Sequence, residues 1–199
     1  MVRPGVRITG GVYRSRRLLA PPGNATRPTS DRVREALFSI LAAEGDISGA
    51  LVLDLYAGTG ALALEALSRG AAHATLVERD RSALGAIARN IEALGVGASA
   101  RVVASPVERA LRTLAGSPPF DFVFADPPYA LVASGETSRA LERAVTARLI
   151  APKTRVVLEH ASADAPPQIG ALVLDVSRRY GDTTLSLYRL LKSGGGGLP

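Results

Sequence analysis

Short apolar runs alternate with amphipathic stretches along most of the chain. Five runs rich in β-branched and aromatic residues predict buried strands: ALVLDLYAG, HATLVERD, ARVVAS, FDFVFAD and TRVVLEHA. Four helical patterns lie between them: GALALEALSRG, residues 81–94, VERALRTLA and residues 137–149. Regular alternation of strands and helices predicts an α/β fold, in which a mostly parallel sheet is covered by helices on both faces.

The two ends of the chain follow different patterns. Near the C-terminus, ALVLDVSRRY and TTLSLYRL flank a Gly-Asp pair, which predicts an antiparallel hairpin and brings the sheet to seven strands. Near the N-terminus, RITGGVYRSRRLLA has two β-favouring patches around a Gly-Gly pair, which predict a small β hairpin or arm. We therefore divide the chain into a basic N-terminal arm (1–28), a Rossmann-like domain (29–192) and a flexible glycine-rich tail (193–199).

Composition narrows the classes of protein to consider. Apolar residues make up 47% and charged residues 21% of 199 residues, which is typical of a globular protein with one substantial core. No apolar run approaches the about 18 residues of a membrane span, and MVRPGVRITGG predicts no signal peptide. The chain has no cysteine and two histidines, so we predict neither disulfides nor a metal site. The simplest expectation is a cytoplasmic protein.

The positive charge is concentrated at the N-terminus. Residues 1–34 hold eight arginines and one acid, whereas the rest of the chain has 16 basic and 17 acidic residues. Arginine clusters favour polyanions because the guanidinium matches phosphate geometry and binding releases counterions. The alternative is a solvated basic tail in an arginine-rich protein, since the chain has only two lysines. The candidate nucleic-acid contacts are Arg7, Arg14, Arg16, Arg17, Arg27, Arg32 and Arg34.

A glycine-rich stretch, LDLYAGTG, joins the first predicted strand to a helix. Gly58 and Gly60 let the backbone pass close to a ligand at the helix N-terminus, and Glu78 at the end of the next strand can accept hydrogen bonds from ribose hydroxyls. Dinucleotide and S-adenosylmethionine sites share this layout. Asp54 favours S-adenosylmethionine, because a carboxylate repels a pyrophosphate and attracts a cationic methionyl group. The candidate cofactor contacts are Asp54, Tyr56, Ala57, Gly58, Thr59, Gly60, Glu78, Arg79, Ser105 and Pro106.

The sequence DPPY directly follows the fourth predicted strand. Pro127 and Pro128 cannot donate to a sheet ladder and so end the strand, which leaves Asp126 and Tyr129 on a stiff loop at its carboxyl end. Ligands bind at this edge of open α/β sheets. The alternative is a plain strand-ending turn with a surface tyrosine.

Several motifs, in order from about residue 7 to about residue 190, resemble the bacterial methyltransferases that modify a guanine N2 of 16S ribosomal RNA. They are RITGGVYRSRRL, RPTSDRVREALFSIL, DLYAGTGALALEALSRGA, DPPY and RRYGDTTLSLYRL. The resemblance implies the S-adenosylmethionine-dependent methyltransferase fold, S-adenosylmethionine as cofactor, and 16S rRNA as substrate. The short basic arm, without a separate reading domain, favours recognition of rRNA by its shape within a small-subunit particle, with naked rRNA as the alternative. Ser105 departs from the wider superfamily, in which an acid often contacts the adenine amine.

The resemblance also implies a role for the DPPY loop. An exocyclic amine is a poor nucleophile, so it must be oriented towards the methyl group before it can react. Hydrogen bonds from the amine to Asp126 and to the Pro127 carbonyl would aim its lone pair at the methyl group, with Pro128 holding the loop rigid. Tyr129 would stack on a flipped-out base. DPPY also resembles the loop of adenine-N6 methyltransferases, which remain an alternative. An RNA-binding module without activity and an NAD-dependent oxidoreductase are further alternatives; we expect a monomer.

Overall fold

The computed structural model describes residues 6–21, 30–45 and 47–191. Arg27 and the predicted tail at 193–199 lie outside these ranges. The helices are α1 (Asp31–Glu44), α2 (Ala61–Ser68), α3 (Arg81–Leu94), α4 (Val107–Leu114), α5 (Tyr129–Ala133) and α6 (Glu136–Thr146). The strands are β1 (Leu51–Asp54), β2 (His73–Glu78), β3 (Ala100–Ala104), β4 (Phe122–Ala125), β5 (Arg155–Ala161), β6 (Leu172–Tyr180) and β7 (Thr183–Leu190).

One seven-stranded sheet organises the fold, in the order β3-β2-β1-β4-β5-β7-β6. Strands β1 to β5 pair in parallel, whereas β7 pairs antiparallel with both β5 and β6. The predicted α/β class, the mostly parallel seven-stranded sheet and the C-terminal hairpin are therefore confirmed. Because β1 lies between β2 and β4, the loops that follow these three strands meet at one edge of the sheet, which we call the carboxyl edge.

Helices cover both faces of the sheet. On one face, α1, α2, α3 and the N-terminal segment share a core with the sheet, in which the Phe38 and Phe124 rings meet edge to face with centroids 5.8 Å apart. On the other face, α4, α5 and α6 pack around residues such as Leu111 and Leu141. Both faces of the central strands are therefore buried, which explains their continuous apolar sequences.

The N-terminal segment forms a β hairpin that packs on the domain. Its two arms meet at a bridge between Arg7 and Arg17, and the Ile8 N–H donates to the Arg16 carbonyl at 2.9 Å. Val6, Ile8 and Leu18 are buried in the same core as the sheet. The segment predicted as an arm is thus held against the domain through residues 6–18.

Helix α1 packs on the face of the sheet that also carries α2 and α3. The Ser30 hydroxyl caps its first turn by accepting from the Val33 N–H at 3.2 Å. At the far end, Glu44 forms an ion pair of 2.8 Å with Arg155, the first residue of β5. The C-terminus of α1 therefore lies at the edge of the sheet where β5 begins.

Some predicted strands and helices extend further than those in the structure. The run ALVLDLYAG continues past Asp54, but β1 ends there because the chain turns into the glycine loop. The helix predicted over 137–149 covers Glu136–Thr146, and Arg148 follows with a left-handed φ of 59° that stops it. Among the described residues, no helix has both the length and the apolar character needed to cross a membrane.

Candidate cofactor and acceptor site

The glycine loop between β1 and α2 follows a tight path. Gly58 and Gly60 have φ values of 55° and 79°, in the left-handed region that glycine occupies at little cost. A Cβ on Gly60 would lie 3.0 Å from the Leu76 side chain, whereas a Cβ on Gly58 would meet no atom within 4 Å. Gly60 is thus needed for packing, and Gly58 borders open space in which a ligand can approach the backbone.

Asp54 ends β1 and is buried, with a relative exposure of 1%. Burial, together with the nearby negative charge of Asp126, raises its pKa to about 7, although backbone hydrogen bonds from Tyr56 and Ala63 act in the opposite direction. Its Oδ1 atom has no hydrogen-bond partner in the described part of the chain. A buried carboxylate with an unused oxygen fits a cationic group of a ligand better than a structural role.

Glu78, at the end of β2, joins two loops. One carboxylate oxygen accepts from the Gly58 N–H at 2.8 Å, and the other accepts from the Arg79 and Asp80 N–H groups at 2.7 and 2.8 Å. Asp80 in turn caps α3 by accepting from the Ala83 N–H at 2.9 Å. The carboxylate is therefore fixed beside the glycine loop, where it can also accept hydrogen bonds from a sugar.

The other predicted cofactor contacts lie around this loop with different exposures. Thr59 is buried, Ala57 is buried with its N–H donating to the Val77 carbonyl at 3.0 Å, and Tyr56 is half-buried, which raises the pKa of its phenol. Ser105 follows β3, is half-buried, and donates to the Pro106 carbonyl at 3.2 Å before α4 begins. All of these residues follow the carboxyl ends of β1 and β3.

The DPPY loop follows β4, the neighbour of β1. Asp126 is half-buried, Pro127 is buried and Pro128 is exposed. Pro128 caps α5, so Tyr129 is the first residue of that helix, and its hydroxyl lies 2.9 Å from the Thr183 hydroxyl at the start of β7. Asp54 pairs with Phe124, two residues before Asp126, so the glycine loop and the DPPY loop emerge side by side at the carboxyl edge. The negative charge of Asp126 accordingly contributes to the raised pKa of Asp54.

The basic residues divide into exposed and buried ones. Arg7, Arg14, Arg16, Arg17 and Arg32 are exposed, although Arg7 also forms an ion pair of 2.8 Å with Asp31.

The assignment of Arg34 to the RNA surface was wrong. Arg34 has 0% exposure and forms ion pairs with Asp31 at 2.9 Å and with Glu65 at 3.3 Å, and it also donates to the Arg7 carbonyl. A guanidinium enclosed in this way links α1, α2 and the hairpin and is not accessible to a phosphate.

Two buried polar residues that the sequence interpretation missed hold the hairpin against the domain. Glu65 in α2 is fully buried and accepts from the Thr9 and Gly10 N–H groups at 2.7 and 2.8 Å. Asn90 in α3 is also buried and contacts both Leu19 and Thr59. A single acid in the otherwise apolar helix ALALEALS was the available signal for Glu65; nothing local distinguishes Asn90.

A family model and curated relatives of the chain indicate the same family. Residues 6–189 match the family model described as "Conserved hypothetical protein 95". The chain is 33% identical over 187 residues to the candidate rRNA methyltransferase YlbH of Bacillus subtilis, covering 92% of this chain and 98% of that protein. It is 46% identical over 138 residues to ribosomal RNA small subunit methyltransferase D of Escherichia coli K12, covering 69% and 67% of the two chains.

Solved structures agree with the sequence relatives. The candidate methyltransferase YhhF of Escherichia coli superposes with a TM-score of 0.78 at 37% identity, over 93% of this chain and 97% of that chain. A hypothetical protein of Thermus thermophilus also gives 0.78, at 34% identity, over 93% and 99% of the two chains. The chain therefore belongs to the Conserved hypothetical protein 95 family and, as its motifs predict, to the bacterial small-subunit ribosomal RNA methyltransferases.

Proposed function

We propose that the protein transfers a methyl group from S-adenosylmethionine to the exocyclic N2 amine of a guanine in 16S ribosomal RNA. The observation that carries this proposal is the adjacency of β1 and β4, which brings Asp54 and Asp126 to one edge of the sheet. A buried carboxylate for a cationic cofactor and a proline-held acceptor loop for an amine then share one site. Relatives that are named as rRNA methyltransferases support the substrate class.

The glycine-loop side fits the cofactor. Asp54 would accept from the methionyl amino group with its unused oxygen, and Glu78 would accept from the ribose hydroxyls. Gly58 leaves the space that a ligand needs beside the backbone. The remaining cofactor contacts that we propose are Tyr56, Ala57, Thr59, Gly60, Arg79, Ser105 and Pro106.

The DPPY side fits the acceptor base. Bound S-adenosylmethionine supplies an electrophilic methyl group on a sulfonium. The Asp126 carboxylate and the Pro127 carbonyl would accept hydrogen bonds from the guanine amine and direct its lone pair along the line of displacement. The N–C bond would form as the S–C bond breaks, sulfur would keep the electron pair of that bond and leave as S-adenosylhomocysteine, and the methylated amine would lose one proton to water. Tyr129 would stack on the base, and Pro128 fixes its position by starting α5.

The hairpin and the start of α1 provide the proposed RNA surface. Arg7, Arg14, Arg16, Arg17 and Arg32 are exposed there, and Arg27 belongs to the proposal by its sequence position. We expect a monomer that acts in the cytoplasm. We also expect the substrate to be a small-subunit particle, because so small a basic surface suits recognition of a preformed RNA shape.

The test is tritium transfer from labelled S-adenosylmethionine to 30S particles and to free 16S rRNA from cells that lack this enzyme. Nucleoside digestion and chromatography then identify the product. N2-methylguanosine is the expected product, and Asp126→Ala should give none, whereas the exposed Asp164→Ala control should keep wild-type transfer. N6-methyladenosine would refute the guanine assignment, and binding without transfer would refute the enzyme assignment.

A further inference from the structure

Asn90 is a buried amide whose hydrogen bonds all go to other segments of the chain. Its Nδ2 donates to the Thr59 carbonyl and to the Leu19 carbonyl, both at 3.0 Å, and its Oδ1 accepts from the Leu19 N–H at 2.7 Å. The side chain is 1% exposed. An apolar residue would fill the same place on α3 without desolvating an amide, so the role of Asn90 lies in the two segments that it joins.

The two segments belong to different parts of the proposed site. Thr59 lies between Gly58 and Gly60, where two left-handed glycines leave the loop little stiffness of its own. Leu19 follows the exposed Arg17 by two residues, with the buried Leu18 between them. The Asn90 side chain therefore connects the exit of the basic hairpin directly to the middle of the cofactor loop.

A second set of contacts holds the hairpin but not the loop. Ser68, at the end of α2, donates to the Gly10 carbonyl at 2.6 Å and accepts from the Tyr13 N–H at 2.9 Å. Gly11 packs so closely on Ser68 that an added Cβ would overlap its carbonyl oxygen. These contacts lie at the opposite end of α2 from Gly60, so they provide a matched comparison for Asn90.

We infer that Asn90 is a positioning residue that couples the hairpin to the cofactor loop, so that RNA on the hairpin and cofactor in the loop strengthen each other's binding. RNA held by Arg16 and Arg17 keeps Leu19 seated on Asn90, and Asn90 then keeps the Thr59 carbonyl in its observed position. When the loop is already in its binding conformation, less of the binding free energy of the cofactor is spent on ordering it, so the cofactor binds more tightly. Linkage requires that the cofactor strengthen RNA binding by the same factor. This inference rests on the proposed function.

The experiment compares Asn90→Ala with Ser68→Ala. Calorimetry gives the affinity of each protein for S-adenosylhomocysteine, and filter binding gives the affinity for unmethylated 30S particles with and without saturating S-adenosylhomocysteine. In the wild type we expect S-adenosylhomocysteine to raise the particle affinity at least about fivefold. In Asn90→Ala this enhancement should fall below about twofold and the S-adenosylhomocysteine affinity should fall about tenfold, with unchanged particle affinity in its absence.

Ser68→Ala should keep the enhancement, because it loosens the hairpin without reaching the loop. The inference is overturned if Asn90→Ala keeps the enhancement, if Ser68→Ala loses it equally, or if the wild type shows none. Should Asn90→Ala fail to fold, Asn90→Leu carries the same expectations, since an apolar side chain of similar size fills the same place on α3 and makes none of the hydrogen bonds to Leu19 and Thr59. A wild type that binds no S-adenosylhomocysteine would instead refute the proposed function.

Discussion

Replacing Asp54 with asparagine should make the free protein more stable while weakening cofactor binding. Asp54 is buried beside the negative charge of Asp126, and its pKa is raised to about 7 from 3.8. Each unit of difference between folded and unfolded pKa is worth about 1.4 kcal/mol. The buried charge therefore costs the native state about 4 kcal/mol at pH 8.

The sign of this effect follows from proton binding. Between pH 3.8 and about 7 the native carboxyl group keeps a proton that the unfolded chain has lost. The wild type therefore loses stability as pH rises through this window and levels off above it. Asparagine does not titrate, and an amide loses little at a site where Oδ1 has no partner among the described residues. The stability advantage of the variant should therefore grow by about 3 kcal/mol between pH 5 and pH 8.

Urea unfolding of both proteins at pH 5 and pH 8 measures this difference, because the titration of other groups cancels between them. Asp80→Asn is the matched control: Asp80 is an exposed helix cap whose pKa is lowered by hydrogen bonds from Ser82 and Ala83. It is ionised throughout this range, so its variant should differ from wild type by the same amount at both pH values. The affinity of Asp54→Asn for S-adenosylmethionine should fall at least about tenfold through loss of the charge. A pH-independent difference for Asp54→Asn would refute the reasoning.

Three further predictions test other parts of the structure. Glu65→Ala should lower the free energy of unfolding by about 3–5 kcal/mol in urea titrations, because it removes one of the two carboxylates that neutralise the buried Arg34 and the acceptor of the Thr9 and Gly10 N–H groups. Asp126→Ala should abolish methyl transfer while S-adenosylhomocysteine affinity, measured by calorimetry, stays within about threefold, since the role proposed for Asp126 is to hold the acceptor base and not the cofactor. Replacing Arg14, Arg16 and Arg17 with alanine should flatten the salt dependence of RNA affinity by about one counterion for each lost phosphate contact.

Each of these predictions has a contradicting result. A Glu65→Ala protein of wild-type stability would mean that solvent reaches the site. Loss of S-adenosylhomocysteine binding in Asp126→Ala would assign that carboxylate to the cofactor. An unchanged salt slope in the triple arginine variant would return those residues to the solvated-tail interpretation.

Local patterns predicted most of the fold and the loops of the candidate site. The strands were predictable because burial on both faces demands short continuous apolar runs, and β2 and α3 begin at the predicted residues. Gly58, Gly60 and DPPY could be located because a turn at a strand end imposes its residue types within a few positions. Strand ends were less predictable, because β1 stops where the tertiary path changes rather than where the apolar run ends.

Contacts between distant residues escaped the sequence interpretation. Arg34 was assigned to the RNA surface together with the other N-terminal arginines. Its partner Glu65 lies 31 positions away, and only the packing of α1 on α2 brings the two residues together. Asn90 and Leu19 are 71 positions apart, and no spacing rule relates them. The charge count located the basic residues in the N-terminal segment. It could not distinguish the arginines that face solvent from Arg34, which is buried in the core.

The burial of the hairpin also bears on how this scaffold can diversify. Val6, Ile8 and Leu18 belong to the central core, and Glu65 lies beneath the hairpin, where it accepts from the Thr9 and Gly10 N–H groups. A gene fragment starting at α1 would expose that apolar surface and remove two of the donors to a buried carboxylate, so it should aggregate rather than fold. The inward face of the hairpin is therefore constrained by the core of the domain. Its outward face, where the exposed arginines lie, is the part that can change without loss of stability.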